Sequence, residues 1–225
     1  GASPGNGNFV VTNLQVARRT QGPIPVATGL RIRLPGRGRI LSLAEVEVLD
    51  GDGVNVALGA TATQSSTGFN GPPQLAVDGN TSGVYEDGSV THTSTEADPW
   101  WEVTFAAPVE VHGLRVWSRT DGDLELRLEG FEVLLLGEAS EPLLRTAPWP
   151  APNPVAEARF GPGGTVPLLV RPGSASFEQS NFTVAAALDL DPGTGWAIGP
   201  RQGVDHAAIF RLPELNLDPD GLLGL

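Results

Sequence analysis

Short runs of alternating apolar and polar residues dominate the chain. Leu30, Ile32 and Leu34 alternate with Arg31 and Arg33, the pattern of a half-buried strand. Ile40 to Leu49 follows with Leu41, Leu43, Val46 and Val48 apolar, and the slip of register near Ala44 predicts a bend or bulge. Trp101, Val103 and Phe105 mark another strand, Leu114 and Val116 one that reaches Ser118, and Phe131 to Leu136 a further one. Val166, Leu168 and Val170 alternate, and Ala207 to Leu212 reads as a strand. Near the start, Phe9 to Val16 alternates loosely and predicts a strand, whereas Arg18 to Pro25 reads as a linker. Pro35-Gly36 and Asp50-Gly51-Asp52-Gly53 are turn signals. No stretch carries a sustained helical stripe. The expected fold class is all-β, an antiparallel jelly-roll-like barrel or sandwich.

Residues 54–100 break this rhythm. They are rich in Gly, Asn, Ser, Thr and Asp, and a loop region of that length needs something to order it, a metal being one candidate. Residues 146–154, Thr-Ala-Pro-Trp-Pro-Ala-Pro-Asn-Pro, hold four prolines in nine positions and read as a stiff linker and domain boundary. An internal repeat is visible as well. Ala76-Val77-Asp78 with Tyr85, and Ala187-Leu188-Asp189 with Trp196, share an apolar pair, a buried-looking Asp in a turn and an aromatic seven residues after it. Two modules are expected: residues 22–148, and a second assembled from 1–20 plus 153–225.

Composition narrows the classes of function. Glycine (29) and proline (20) together make about a fifth of the chain, which suits short strands and tight turns. The net charge is −12, every basic residue is arginine, and no basic run exists, so neither nucleic acid nor an anionic membrane is an expected partner. No apolar run approaches about 18 residues, so no membrane insertion is expected. The absence of cysteine excludes disulfides, thiolate metal sites and cysteine nucleophiles. With no methionine, Gly1 is not a translational start, and the chain reads as a processed product or a part of something larger.

The chemistry gathers between Ala76 and Arg127. The loop is rich in Asp, Asn and Ser oxygens, ligands of the kind a hard cation such as calcium takes. His92, Arg119 and Arg127, with several aromatics, form a kit for a neutral polyol: directional donors plus a flat apolar face. Plainer readings stand beside these. His92 could be a loop histidine bonded to backbone, and Asp78 a turn cap. Arg119 and Arg127 could simply pair with Asp121, Asp123 or Glu125. Trp100 and Trp101 are more often core than sugar platform, with one inside and the other toward the loop end. His112 and His206 have no partner pattern, and Asp189, Asp191 and Trp196 read as a structural turn.

Residues 54–136 resemble the fucolectin branch of the discoidin (coagulation-factor type C) domains, and the similarity extends over about 28–140. It is carried by Asn55-Val56-Ala57-Leu58, Ala62-Thr63-Gln64-Ser65-Ser66, Ser89-x-Thr91-His92-x-Ser94 and Pro99-Trp100-Trp101, in order. The resemblance implies a calcium-stabilised antiparallel barrel with a shallow fucose site at one end. Its sugar motif is a histidine, 26 residues, Arg-x-Asp, four residues and a basic residue. Here His92 is followed by 26 residues and Arg119-Thr120-Asp121, and then five residues precede Arg127. His92, Arg119 and Arg127 therefore match sugar-binding positions, with Asp121 as the orienting carboxylate and Tyr85 as a wall for the sugar methyl group. The family often carries adjacent cysteines where this chain has Gly122 to Leu126. The resemblance also implies calcium ligands at Asp78, the Asn80 carbonyl, Ser89, the Leu75 carbonyl and Glu45. Glu45 lies on a strand that here precedes the domain it normally ends, which implies a permuted strand order. Gly5 to Val11 and residues 174–212 are similar to paired segments of large multidomain bacterial surface proteins, and no fucose-type site is expected there.

The first functional reading is a non-catalytic fucose-type lectin module, its guanidinium and imidazole groups donating to the sugar, with Ca2+ as cofactor and glycans as partners. The expected location is extracellular, at the cell surface or in the periplasm. The second is a structural or interaction domain with protein partners in a larger assembly, its sugar site degenerate; the altered 122–126 loop and the apolar end Leu222-Leu223-Gly224-Leu225 favour it. Enzyme motifs are missing: no Gly-x-Ser-x-Gly, zinc pair or phosphate loop occurs.

Overall fold

The computed structural model describes residues 9–11, 14–176, 178, 182–189, 195–198 and 207–212. In chain order the strands are β1 (Phe9–Val11), β2 (Val16–Arg19), β3 (Val26–Arg33), β4 (Leu43–Leu49), β5 (Thr61–Gln64), β6 (Trp100–Glu110) and β7 (Gly113–Ser118). They continue with β8 (Glu132–Leu136), β9 (Pro142–Arg145), β10 (Val155–Arg159), β11 (Thr165–Leu168), β12 (Arg171–Ala175), β13 (Trp196–Ile198) and β14 (Ala208–Arg211). Short 3₁₀ turns are the only helical elements among the described residues, and every pairing whose register is resolved is antiparallel. The chain divides into two compact units, one of Ala17–Leu168 and one formed by Gly1–Val16 with Leu169–Glu214.

The core of the larger unit lies between two sheets, a five-stranded one in the order β5-β6-β3-β8-β9 and a three-stranded one in the order β10-β7-β4, with the two-stranded β11-β2 beside them. The alternation seen in the sequence becomes rows of cross-strand neighbours. Trp101, Ile32 and Val133 lie side by side across β6, β3 and β8, and Val103, Leu30 and Leu135 form the next row. On the other sheet Val46, Val116 and Ala156 align, followed by Val48, Leu114 and Ala158. All twelve are buried in a single hydrophobic cluster, the core of an antiparallel β-sandwich. Non-directional burial on one face of each strand holds the sheets together, and register follows because a one-residue slip would turn every row outward. The bulge expected near Ala44 is present: the β4–β7 register shifts between Leu43 and Glu45.

Several expectations need correction. Arg18 and Arg19 are not linker; they complete β2, which pairs with β11. Half-buried Val16 and Arg18 alternate there with exposed Ala17 and Arg19, a polar strand pattern that the arginines disguise. The long loop region contains β5, where only Ala62 turns inward, too small a signal to stand out. The proline-rich segment 146–154 is an integral arm of the larger unit. Its Trp149 is fully buried against Phe131, with ring centroids 5.2 Å apart. Gly130 N donates to Trp149 O at 2.9 Å, and Trp149 N to Phe131 O at 2.8 Å. The chain then runs straight into β10, which pairs with β7, so the larger unit continues to Leu168.

In the smaller unit β1 pairs with β13, and β12 pairs with β14. Val184, Ala187 and Trp196 form its buried cluster. In the first copy Ala76 and Val77 end the 3₁₀ turn Pro73–Val77, and in the second Ala187 ends the turn Val184–Ala187 with Leu188 next to it. The aspartates that follow, Asp78 and Asp189, are exposed rather than buried. Residues 1–8, Asp191, His206 and Leu222 to Leu225 lie outside the described residues.

If the proline-rich arm belongs to the core, Trp149→Ala should cost about 3–5 kcal/mol of unfolding free energy, the usual range for a buried aromatic. Urea denaturation measures this, and a loss below about 1 kcal/mol would return the segment to the status of a linker.

Candidate functional site

His92 is set by two strips of backbone that meet just before β4 and at its first residue. Thr93 N donates to Leu41 O (3.0 Å), and Leu41 N donates back to Thr93 Oγ1 (2.9 Å). Thr91 repeats the arrangement with Leu43, at 2.8 Å and 3.0 Å. Between these threonines, His92 N donates to Gly71 O (2.9 Å) and His92 O accepts from Gly68 N (2.7 Å). The approach of Gly71 leaves no space for a side chain, since a Cβ there would lie 2.5 Å from His92 N.

The imidazole is buried, and its Nδ1 lies 2.7 Å from Thr93 O. A carbonyl only accepts, so this bond assigns the hydrogen to Nδ1 and leaves Nε2 with a lone pair. Burial holds the His92 pKa below 6.5, and the charges of Arg127 and Arg119 lower it further. At neutral pH the ring is uncharged. It therefore presents an acceptor at Nε2, rather than the donor expected from the sequence.

Aromatic rings and a guanidinium extend this centre. The Phe69 ring lies 4.7 Å from the His92 ring at 52°, and Tyr85 meets it edge-on at 6.5 Å. The Tyr85 hydroxyl donates to Phe69 O. Arg119 stacks over Tyr85 with Cζ 4.7 Å from the ring centroid. The same guanidinium grips Asp121 with two bonds, Nε to Oδ1 at 2.7 Å and Nη2 to Oδ2 at 2.8 Å. Tyr85 N donates to the same Oδ1 at 3.3 Å. This pairing holds the Asp121 carboxyl below its usual range and raises the pKa of Arg119.

Arg127 stands in a different condition. It lies in the 3₁₀ turn Glu125–Leu128, and its Nη1 is buried with no hydrogen-bond partner among the described residues. Burial lowers its pKa, and the neighbouring Arg119 charge adds to this, while Asp121 opposes it. His92, Tyr85, Arg119, Asp121 and Arg127 are thus brought together, and the plain ion-pair reading holds for Arg119 with Asp121. Sequence reasoning missed Phe69. A lone aromatic in a Gly/Asn/Ser loop was the available signal: Phe69 and Asn70 both have positive φ, 49° and 55°, and the Phe69 ring is 70 % exposed. Trp101 is core, its Nε1 donating to Pro73 O at 2.9 Å. Trp100 lies under Arg31 on the five-stranded sheet.

The residues expected to hold a cation fall mostly around Glu45. Glu45 Oε1 accepts from Gly79 N at 3.2 Å, and Asp78 is close enough for its charge to act on Glu45. Asp78 Oδ1 accepts from Asn80 N (2.8 Å), Asn80 Oδ1 from Ser82 N (3.1 Å), and Ser89 Oγ donates to Ser82 O. Leu75 lies in the 3₁₀ turn that leads to Asp78. Among the described residues no group of three or more His, Cys, Asp or Glu gathers in metal-binding range. The acids here are two, and the remaining donors are hydroxyl and carbonyl oxygens. Glu45 Oε2 is nevertheless buried with no hydrogen-bond partner among the described residues, and burial lifts the carboxyl to a pKa of about 7. An all-oxygen surrounding with an orphaned buried carboxylate oxygen fits a hard divalent cation.

Comparison with known proteins points to the same part of the chain. Residues 75–142 match the family model of the NedA-like, galactose-binding domain, of the F5/F8 type C group. A fucolectin of Anguilla anguilla is 33 % identical over 84 residues, which is 35 % of this chain and 52 % of the relative. The chain thus spans about half the length of the curated relative it matches. Among solved structures, a His 62 mutant of the lectin-binding domain of Lectinolysin complexed with Lewis b is 34 % identical, covering 51 % of this chain and 80 % of that one, with a TM-score of 0.46. A fucose-binding module of Streptococcus pneumoniae is 32 % identical over 52 % of this chain and 82 % of its own, also at a TM-score of 0.46. The fucolectin-type, discoidin-like resemblance read from the motifs is therefore shared by a family model and a curated relative.

A lowered His92 pKa has a definite sign. The unfolded histidine takes up a proton near pH 6.5 and the folded one only at lower pH, so this group's contribution to folding is complete above about pH 6.5 and lost as pH falls through the folded value. Glu45 shifts in the opposite sense, so the check is residue-specific. An NMR titration of the His92 ring should give a midpoint below 6.5, with Nδ1 protonated at neutral pH; a midpoint above 6.5 would place a charge on the ring.

Proposed function

We propose that the larger unit is a non-catalytic carbohydrate-binding module that takes a fucose-type sugar at His92, Arg119 and Arg127. One observation carries this reading: a neutral acceptor, His92 Nε2, shares a site with a buried guanidinium donor, Arg127 Nη1, that has no hydrogen-bond partner among the described residues. A sugar hydroxyl both donates and accepts, so adjacent hydroxyls can answer both groups. An anion could answer only the arginines, and Asp121 already neutralises one of these. The exposed Phe69 ring and Tyr85 supply an apolar wall suited to the sugar methyl group. The family match over residues 75–142 supports the same class of ligand. Affinity at such an open site is expected to be weak, with avidity supplied by repetition.

Calcium is part of the proposal, with Glu45, Asp78, Ser89 and the carbonyls of Asn80 and Leu75 as its ligands. When bound it supplies positive charge to the Glu45 oxygen that now lacks a partner. The proposed location is extracellular or at a cell surface, with glycans as partners. The smaller unit is proposed as a second discoidin-like module without a sugar site, supported by the repeated 3₁₀ turn followed by an aspartate. The five-residue spacing before Arg127 favours one alternative, a scaffold domain for protein partners in which the sugar site is degenerate.

Calorimetric titration with L-fucose separates the two. Saturable binding is expected, and Arg119→Ala should weaken it at least about tenfold, the loss of charge-assisted hydrogen bonds. No binding by the folded, calcium-loaded protein would favour the scaffold. For the metal, calcium at about 100 times its Kd should raise Tm by about 5–10 °C. Glu45→Gln should abolish that rise, and an unchanged Tm in the parent protein would remove calcium from the account.

A further inference from the structure

Arg39 lies far from Arg127 in sequence, yet its guanidinium reaches the turn that carries Arg127. Arg39 Nη2 donates to the carbonyl oxygens of both Arg127 and Glu129, each at 2.9 Å. The 3₁₀ turn satisfies its own amides: Arg127 N bonds Leu124 O, Glu129 N bonds Leu126 O and Phe131 N bonds Leu128 O, all at 3.0 Å. Carbonyls at the end of a helical turn have no partner within it, and a fixed fork of donors suits two of them at once. The chain has no cysteine, so no covalent link stiffens this loop.

The other end of Arg39 is equally constrained. Its backbone exchanges two hydrogen bonds with Glu96, at 2.9 Å and 3.0 Å. The Glu96 carboxylate is held by the hydroxyls of Ser65 (2.5 Å) and Ser66 (2.8 Å). Two and four residues on, Leu41 and Leu43 hold Thr93 and Thr91, which flank His92. One short segment, 39–43, therefore grips the backbone on both sides of His92 and the carbonyl of Arg127.

We infer that Arg39 is a positioning residue for ligand binding: it makes no contact with the sugar, but clamps the Arg127 turn and ties its placement to that of His92. The need for a clamp is physical. Arg127 is a partly buried cation close to Arg119, and like charges push it out of the site unless its backbone is held. The inference rests on the sugar-binding reading, and its test has one arm that does not.

The test uses the full chain with Arg39→Ala, Arg39→Lys, Arg127→Ala and the Arg39→Ala/Arg127→Ala double variant. The arm independent of ligand is amide hydrogen exchange. Arg39→Ala should speed exchange at Arg127 and Glu129 at least about tenfold while leaving Leu30 and Val116, in the two sheets, unchanged. Unchanged exchange at the turn, or a rise spread equally over the strands, overturns the inference. In L-fucose calorimetry Arg39→Ala should weaken binding about tenfold, yet cause no further loss in the Arg127→Ala background, because it acts through that residue. An equal loss in both backgrounds overturns it. Arg39→Lys, which keeps a donor at the turn, should recover part of the affinity, and it replaces Arg39→Ala if that variant does not fold. Absence of fucose binding by the parent protein, with exchange still raised only at the turn, refutes the sugar reading and upholds the clamp.

Discussion

The geometry of the site depends on a ladder that starts at the first residue of β4 and continues outside any sheet. Residues 39–43 and 91–96 exchange six hydrogen bonds, and in two of them a threonine hydroxyl takes the place of a carbonyl. Backbone polar groups removed from water must find partners, and most do so in strands. Here Thr91 and Thr93 let an irregular segment reach the same balance while the chain swings His92 into place. Without that ladder His92 would sit on a long loop free to drift, and its approach to Gly71, too close for any Cβ, could not be kept.

Charge distribution at the site follows from this enforced proximity. The chain as a whole is strongly acidic, with a net charge of −12, yet the site gathers two arginines and a histidine. Arg119 is neutralised by Asp121, and His92 answers the crowding by staying uncharged. Arg127 keeps an unsatisfied buried donor, an arrangement that costs about 1–3 kcal/mol. The orphaned Glu45 oxygen is a second such cost, set on β4 beneath the 78–80 turn. Folding alone does not favour either group. The proposed ligands, a polyol at one and a hard cation at the other, would satisfy both.

Alternation placed β3, β6 and β7, because a strand buried on one face writes a period of two into the chain, whereas β8, buried along its whole length, showed only as the apolar run ending at Leu136. It also located the bulge near Ala44, since a bulge is a break in that period. The spacing from His92 to Arg119-Thr120-Asp121 and on to Arg127 singled out residues that the fold brings into one place. All of this is local information, carried by residue type and distance along the chain.

Tertiary structure decided the rest. Composition marks residues 146–154 as a linker, but a proline segment becomes an arm of the core when Trp149 finds Phe131, a contact no periodicity records. Phe69 joins the site only because Gly71 allows its loop to lie against His92. The side of His92 that carries the hydrogen depends on which carbonyl lies beside Nδ1, and the role of Arg39 on a turn almost ninety positions away. The sequence by itself determined which residues could be buried and which could do chemistry. Which of them meet was decided by long-range packing, where burial and hydrogen bonding choose partners irrespective of their distance along the chain.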